Sequence, residues 1–361
     1  MGTSEPEAGH DRCASHGADV RHGTAPGRVN LIGDHTDYNQ GLALPMAIGL
    51  GVSVAYEPSG LGVIEVTSDA YPGVTAVVPV DVDAVGVAAI APAWARLVAA
   101  VVSLARPESG GTLHVRSTLP RGSGLSSSAA LAVALAGTFG VEGDPLVLAR
   151  LCQAAEHRIG VPVGLLDPLV CAGARAGHAL LIDFATLMMR QVPVPEGAEF
   201  TVIDSGQRRD LRDSAYAARV LECEAAAAVV GPLGLATGTD IAGLRDPVLR
   251  RRARHVRSEC LRVRRFADAL GSGDLGTAGL VMDESHRSLS ADFESTTPEV
   301  DALVAAVRSR PGVHGVRMTG AGFGGCVVAL GEPGSLVTGA FTTPAWNVVA
   351  SDGALARREA A

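Results

Sequence analysis

Alternating apolar and polar positions mark three short β-like runs early in the chain, at residues 42–56, 63–67 and 113–119, each punctuated by glycine. A helical period takes over around residues 94–104, 129–139 and 146–158, and a strand-like run at 179–184 closes this half. After a proline-rich joint at 192–196, a strand at 200–204 opens a second half. Long helical stretches follow at 214–230, 248–270, 274–289 and 297–308. This half ends in a glycine-rich segment ahead of an apolar strand, over 318–330. No internal repeat is visible. The pattern predicts an α+β fold in two lobes: a poorly ordered segment over 1–23, a first domain over 24–190 and a second over 198–361.

The most informative stretch is residues 119–130, LPRGSGLSSSAA. Gly122 and Gly124 let the backbone curl so that successive N–H groups point into one concavity. Three hydroxyls follow at Ser126, Ser127 and Ser128, and then the alanine-rich run at 129–139 reads as a buried helix. That order puts an anion at the positive end of a helix dipole, ringed by backbone and hydroxyl donors. A Gly/Ser linker is the plainer alternative, but linkers seldom sit between an alternating strand and an apolar helix. Gly122, Ser123, Gly124, Leu125, Ser126, Ser127 and Ser128 therefore read as a nucleotide phosphate cradle.

Composition sharpens this. The chain has no lysine, so all 30 of its Lys+Arg residues are arginines. A Walker cradle and a protein kinase each need a lysine at their phosphates, and Schiff-base chemistry needs one at its carbonyl. All three are excluded. A net charge of −8 without a long basic run argues against nucleic acid. The six cysteines form no CxxC pair and read as reduced, buried thiols rather than a disulfide frame or zinc site. A polar, acidic N-terminus is no secretory signal. The apolar stretches near 84–105 and 129–139 are too short, or too interrupted by Pro92 and Arg96, to span a bilayer. A cytoplasmic protein without a membrane partner is expected.

Residues 25–41, APGRVNLIGDHTDYNQG, gather Arg28, Asp34, His35 and Asp37 into a loop-rich stretch hinged at Gly27, Gly33 and Gly41. Carboxylates, an imidazole and an amide together suit many hydroxyls on one small ligand, hence a sugar. A capped turn that satisfies its own backbone is the alternative. Residues 318–330, MTGAGFGGCVVAL, place four glycines before an apolar strand, which alone reads as a tight bulged turn.

In this order the three segments resemble the GHMP small-molecule kinases, and within that superfamily the galactokinase family. Residues 25–41 are similar to its sugar signature, 120–130 to its phosphate loop and 319–326 to its third motif. Further similarities lie at 164–167, 178–183 and 284–299, so the resemblance spans residues 24–330. It implies ATP and galactose held between two lobes, with the γ-phosphoryl passing to the anomeric hydroxyl. The resemblance assigns sugar contacts to Asp34, His35, Thr36, Asp37, Gly164, Asp167 and Tyr216, and the ATP loop to residues 122–128. Ser128 and Glu156 fall on its magnesium positions. Asp167 matches the catalytic acid and Arg28 the cation that keeps it ionised. Apart from the resemblance, Asp167 reads as a cap or turn, Glu156 as an exposed helical acid and Tyr216 as a core tyrosine.

The chain departs from the family at Asp34, where glutamate is usual, at Pro168, where glutamine is usual, and at His157, where asparagine is usual. Residues 330–346 also leave little room for a helix before the last strand. Two other readings follow: a sibling kinase acting on another monosaccharide such as N-acetylgalactosamine, and a catalytically weak sugar and ATP sensor. A monomer or weak homo-oligomer is expected.

Overall fold

A computed structural model describes residues 19–120, 122–207 and 214–359. The chain opens on β1 (Arg21–Ile32) and the long β2 (Leu42–Pro58), antiparallel from Arg21 opposite Tyr56 to Ile32 opposite Leu44. The run at 25–41, read above as loop-rich, is thus strand as far as Ile32 and turns only from Gly33. Two register shifts, between Pro26 and Arg28 and between Asn30 and Ile32, break the alternation that would have revealed it. β1 also starts inside the segment expected to be poorly ordered, because Arg21, His22 and Gly23 pair with β2. The rest of that expectation, over residues 1–18, lies outside the described residues.

β3 (Val63–Ser68), β4 (Ala76–Pro79) and β5 (Gly111–Ser117) extend the sheet on one side. β6 (His178–Asp183) and β7 (Met188–Pro193) extend it on the other, in the order β4-β3-β5-β2-β6-β7, with β1 also on β2. Helices α1 (Ala84–Ala89), α2 (Arg96–Ala105), α3 (Ser127–Thr138), α4 (Pro145–Arg158) and α5 (Leu166–Gly173) belong to the same half. α3 is apolar all round and packs against β1, β2, α2, α4 and α5, as a helix without a polar face must. α4 shows how locally its start is written: Asp144 accepts from the N–H groups of Leu146 and Val147, and Pro145 fills the first helical position.

The second half runs β8 (Glu199–Asp204), α6 (Ser214–Val230), α7 (Gly238–Ala242), α8 (Pro247–Ser272), α9 (Leu275–Ser288), a π-helical turn (Leu289–Phe293) and α10 (Pro298–Arg308). It ends with β9 (Val313–Thr319), β10 (Cys326–Gly331), β11 (Ala345–Val348) and α11 (Ala354–Glu359). These four strands form an antiparallel sheet ordered β11-β8-β10-β9. As the short spacing implied, only a 3-10 turn (Thr338–Ala340) separates β10 from β11. α11 returns to pack on α5, β1 and α3. One apolar cluster continues from Val29, Leu44 and Ile48 of the first sheet through Val263 and Phe266 of α8 to Phe200 and Val328 of the second. That shared core holds the two sheets in register around the cleft between them. Among the described residues, no helix is long and apolar enough to cross a membrane.

Candidate active site

A cavity of about 470 Å³ opens where β1, the glycine-serine loop, α4, α5, α6 and the β9–β10 loop converge. Its wall contains Arg28, Asp34, His35, Asp37, Glu156, Gly164, Asp167, Tyr216 and all of residues 122–128. Thr36 is the one predicted contact that stays out of the wall. It is fully buried, and its hydroxyl donates to the carbonyls of Gly33 and Leu42, both at 2.8 Å, which locks the turn that presents its neighbours.

The loop has the shape its glycines permit. Gly122, Gly124 and Ser126 all take left-handed backbone, with φ of 73°, 71° and 63°. α3 begins at Ser127, and its first intrahelical bond runs from Ala130 N to Ser126 O at 3.0 Å. The N–H groups of Ser127, Ser128 and Ala129 precede that bond and form the donor end of the helix. The Ser126 side chain caps nothing; its hydroxyl donates instead to Asp167 Oδ2. Two further contacts anchor the loop: Arg28 N donates to Leu125 O at 3.2 Å, and Cys326 Sγ donates to Ser123 O at 3.0 Å.

Asp167 lies in the first turn of α5, a helix that the apolar residues around it did not signal. Arg28 grips it with both arms, Nε to Oδ1 at 2.6 Å and Nη2 to Oδ2 at 2.6 Å, while its Nη1 donates to Gly124 O at 2.7 Å. One guanidinium therefore ties the carboxylate directly to the loop. Asp37 is the second acid on this wall. Burial, then the charges of Asp167 and Asp34, push its carboxyl up to about 6 against the hydrogen bonds from the backbone. Its Oδ2 sits where a side chain on Gly164 would go: a Cβ there would meet that oxygen at 2.3 Å. Gly164→Ala is therefore expected to displace Asp37 and to weaken binding of a small ligand held on this wall about tenfold or more, the scale of one lost charged hydrogen bond. Calorimetric titration of the ligand tests this; an unchanged affinity would remove Asp37 from the binding wall.

Glu156 is buried and accepts from Ser128 Oγ at 3.1 Å. Burial and then the charge of Asp167 raise its carboxyl to about 7, against the Ser128 hydrogen bond and Arg28. It is thus no exposed helical acid, and a nearby cation would relieve it. Both raised acids bind more protons in the folded chain than in the unfolded one between about pH 4 and 7, so stability falls as pH rises through that window. Asp37→Asn should melt higher than the parent at pH 8, the two converging near pH 4. Thermal melts at both pH values check the sign.

Asp34 takes a place that sequence alone did not indicate. Its Oδ1 accepts from Asn30 Nδ2 at 2.8 Å and from Gly320 N at 2.9 Å, and its Oδ2 accepts from Arg317. Arg317, on β9, is fully buried and also donates to Leu31 O at 3.1 Å. Behind it stands buried Glu259 on α8, 3.6 Å from Arg317, paired with Arg262 at 2.7 Å, and accepting from Ser285 Oγ at 2.6 Å and Gly33 N at 3.1 Å. Burial would push the Glu259 carboxyl up, but Arg262 and Arg317 outweigh it and hold it at about 2. The third motif is what brings Gly320 to Asp34: Phe323 N donates to Ser295 O at 2.7 Å, and a Cβ on Gly322 would strike that carbonyl at 2.3 Å. The bulged-turn reading of this segment was half of the truth, since the turn also closes the cavity. Arg317 was missed because it sits 283 residues from Asp34.

His35, at φ 63°, stacks on Phe293 of the π-helical turn with centroids 4.2 Å apart, and its Nδ1 lies 3.0 Å from the Tyr38 hydroxyl. Tyr216 of α6 meets Tyr38 edge-on at 6.4 Å and closes this aromatic side.

The cleft therefore brings together a left-handed glycine-serine loop ending at a helix N-terminus, a wall of carboxylates and aromatic rings, and an acid–arginine pair. The family model for the GHMP kinases N terminal domain matches residues 94–174, and that for the GHMP kinases C terminal matches 266–338. The fold agrees with that of a mevalonate kinase from Methanococcus jannaschii, at a TM-score of 0.65 and 16% identity over 94% of this chain and 100% of that one. The galactokinase galactose-binding signature matches residues 14–58. A curated galactokinase of Roseiflexus sp. is 41% identical over 340 residues, 87% of this chain and 84% of its own length, and one of Mycobacterium bovis is 41% identical over 85% and 87%. The structure of Lactococcus lactis galactokinase complexed with galactose superposes at a TM-score of 0.82, with 27% identity over 93% and 95% of the two chains. The protein is a GHMP small-molecule kinase. Within that superfamily it belongs to the galactokinases.

Proposed function

We propose that this chain phosphorylates galactose at its anomeric hydroxyl with ATP as donor, and that Asp167 receives the hydroxyl proton. The observation that carries the reading is the single guanidinium of Arg28 joining Asp167 to the loop at Gly124, which fixes the acid relative to the phosphate seat. Phosphoryl transfer needs alignment and charge neutralisation more than covalent help. The loop amides, the α3 N-terminus and the hydroxyls of Ser127 and Ser128 bind the phosphates; Gly122, Ser123, Gly124 and Leu125 shape the seat. Asp37, His35 and Tyr216 orient the sugar, and Gly164 lets Asp37 reach it. Asp34 and Thr36 hold this wall in position rather than meeting the sugar with free polar atoms. Arg28 orients Asp167 and offsets charge developing at the transferred group.

Magnesium fits the pair Ser128 and Glu156: a hydroxyl and a buried carboxylate whose raised proton affinity a dication would lower. Magnesium takes few protein ligands beside phosphate oxygens and water, so two such groups suffice for it. Bound there, it would neutralise phosphate charge. A second reading, a related kinase for another monosaccharide, is favoured by one observation: the carboxylate of Asp34 is shorter than the usual glutamate and already occupied by three donors. The reading includes a cytoplasmic, monomeric or weakly self-associating protein whose partners are small molecules. ADP release across a panel of free monosaccharides tests it, with galactose expected to give the highest kcat/KM. A hexosamine ranking first would shift the assignment to the second reading, and no turnover with any sugar would overturn both.

A further inference from the structure

A shallow dent of about 310 Å³ lies between α8, the end of α9 and the π-helical turn, apart from the active-site cavity. Arg262, Glu284, Arg287, Ser288 and Asp292 line it. Its acids are already engaged: Glu284 by Arg265 at 2.8 Å and Asp292 by Arg254 at 3.1 Å. Among the described residues its two cations keep N–H groups that no protein acceptor takes. Arg287 is exposed, and its one hydrogen bond among the described residues is a 3.3 Å contact from Nε to the Asp283 carbonyl. Arg262 is more telling. It is 9% exposed, its Nε is spent on Glu259, and its buried Nη2 has no hydrogen-bond partner among the described residues. A buried guanidinium N–H without an acceptor is costly; Arg251 and Arg317 each keep one at Nε, and what sets Arg262 apart is its place on the dent's lining. Two guanidinium groups lining one dent offer an oxyanion forked donors, which suit tetrahedral phosphate oxygens. The Glu284 and Asp292 carboxylates at the rim would accept hydroxyls carried beside such a phosphate.

We propose that this dent is a regulatory phosphate site, which weakens sugar binding through Glu259 and Arg317. The route is short and entirely buried. Glu259 shares its carboxylate between Arg262 and Arg317, and Arg317 holds Asp34 on the cavity wall. A phosphate on Arg262 competes with Glu259 for that guanidinium. Glu259 is then left less compensated and draws Arg317 away from Asp34. Phosphate and sugar thus favour opposite states of Arg317, the differential interaction that coupling requires.

The test is a thermal-shift titration of the full chain with a non-hydrolysable ATP analogue and magnesium saturating the phosphate loop, γ-phosphate seat included, so that added phosphate reports on the second site. Inorganic phosphate should raise Tm saturably above a sodium chloride control of equal ionic strength. Glycerol 3-phosphate should do so at lower concentration if the natural ligand is a polyol phosphate; inorganic phosphate acting at the lower concentration assigns free phosphate instead. Arg287→Glu, at an exposed position outside the catalytic cavity, should abolish both shifts and leave basal kcat unchanged. Saturating phosphate should raise the galactose KM of the parent about fivefold or more and leave that of Arg287→Glu unmoved. The kinetic arm rests on the galactose reading, whereas the thermal arm holds even for a chain that turns over no sugar. A shift no larger than in sodium chloride, one that persists in Arg287→Glu, or a sugar KM indifferent to phosphate would each overturn the proposal.

Discussion

Asp167→Asn should lower kcat by about a thousandfold, within the 10²–10⁴ range of a lost general base, while galactose affinity stays within a few-fold of the parent. Asparagine keeps the size and one acceptor for Arg28, so the bidentate grip becomes a single hydrogen bond and the loop stays tied through Arg28 Nη1 and Gly124. What is lost, on the proposed mechanism, is the site for the departing proton. Removing only a neighbour's hydrogen bond should cost far less: Ser126→Ala deletes one donor to Asp167 Oδ2 and leaves the arginine in place. The comparison separates a base from a bystander. Single-turnover kinetics and calorimetric titration of galactose provide the two readouts; an Asp167→Asn enzyme within tenfold of the parent kcat would show that the hydroxyl proton leaves by another path.

Local chemistry was legible in the sequence wherever it was carried by consecutive residues. The glycines and serines of residues 122–128 dictate a left-handed curl ending at a helix, and the structure has both. The long helices of the second half were equally plain, since Asp246 with Pro247 and Thr297 with Pro298 write their starts locally. β1 was less legible because its two register shifts interrupt the period-2 pattern on which strand recognition depends. α5 was hidden for another reason: eight residues buried on most sides show no amphipathic stripe. Pairings across hundreds of residues left no local trace at all. Nothing near Arg317 announces that it will meet Asp34, and nothing near Glu259 announces that it will stand between two arginines. Such contacts follow from α8 packing into the shared core and β9 lying against β1, and only the assembled fold displays them.

That buried network bears the second large effect. Arg317→Met should destabilise the fold by about 3–5 kcal/mol, the usual cost of removing one partner from a buried ion pair. Methionine can fill most of the space, so the loss is electrostatic: Asp34 keeps only Asn30 and Gly320 as donors, and Glu259 keeps only Arg262 as a counter-charge. The effect depends on pH in a defined direction. Glu259 is held at about 2 in the folded chain against an ordinary 4.5, so its contribution is complete above about pH 4.5 and is lost as pH falls toward 2. With Arg317 gone the carboxyl rises, and acid unfolding should begin at a higher pH. Neutralising the partner as well should restore part of the loss: Arg317→Met combined with Asp34→Asn ought to be less destabilised than the two changes summed, because each alone strands a charge that the pair does not. Urea unfolding of the parent, both single variants and the double variant measures this coupling. Additivity within about 0.5 kcal/mol would mean that the two residues share a distance but no energy. Arg317→Met would then be a packing change, and the cavity wall would owe its position to the β9–β10 turn alone.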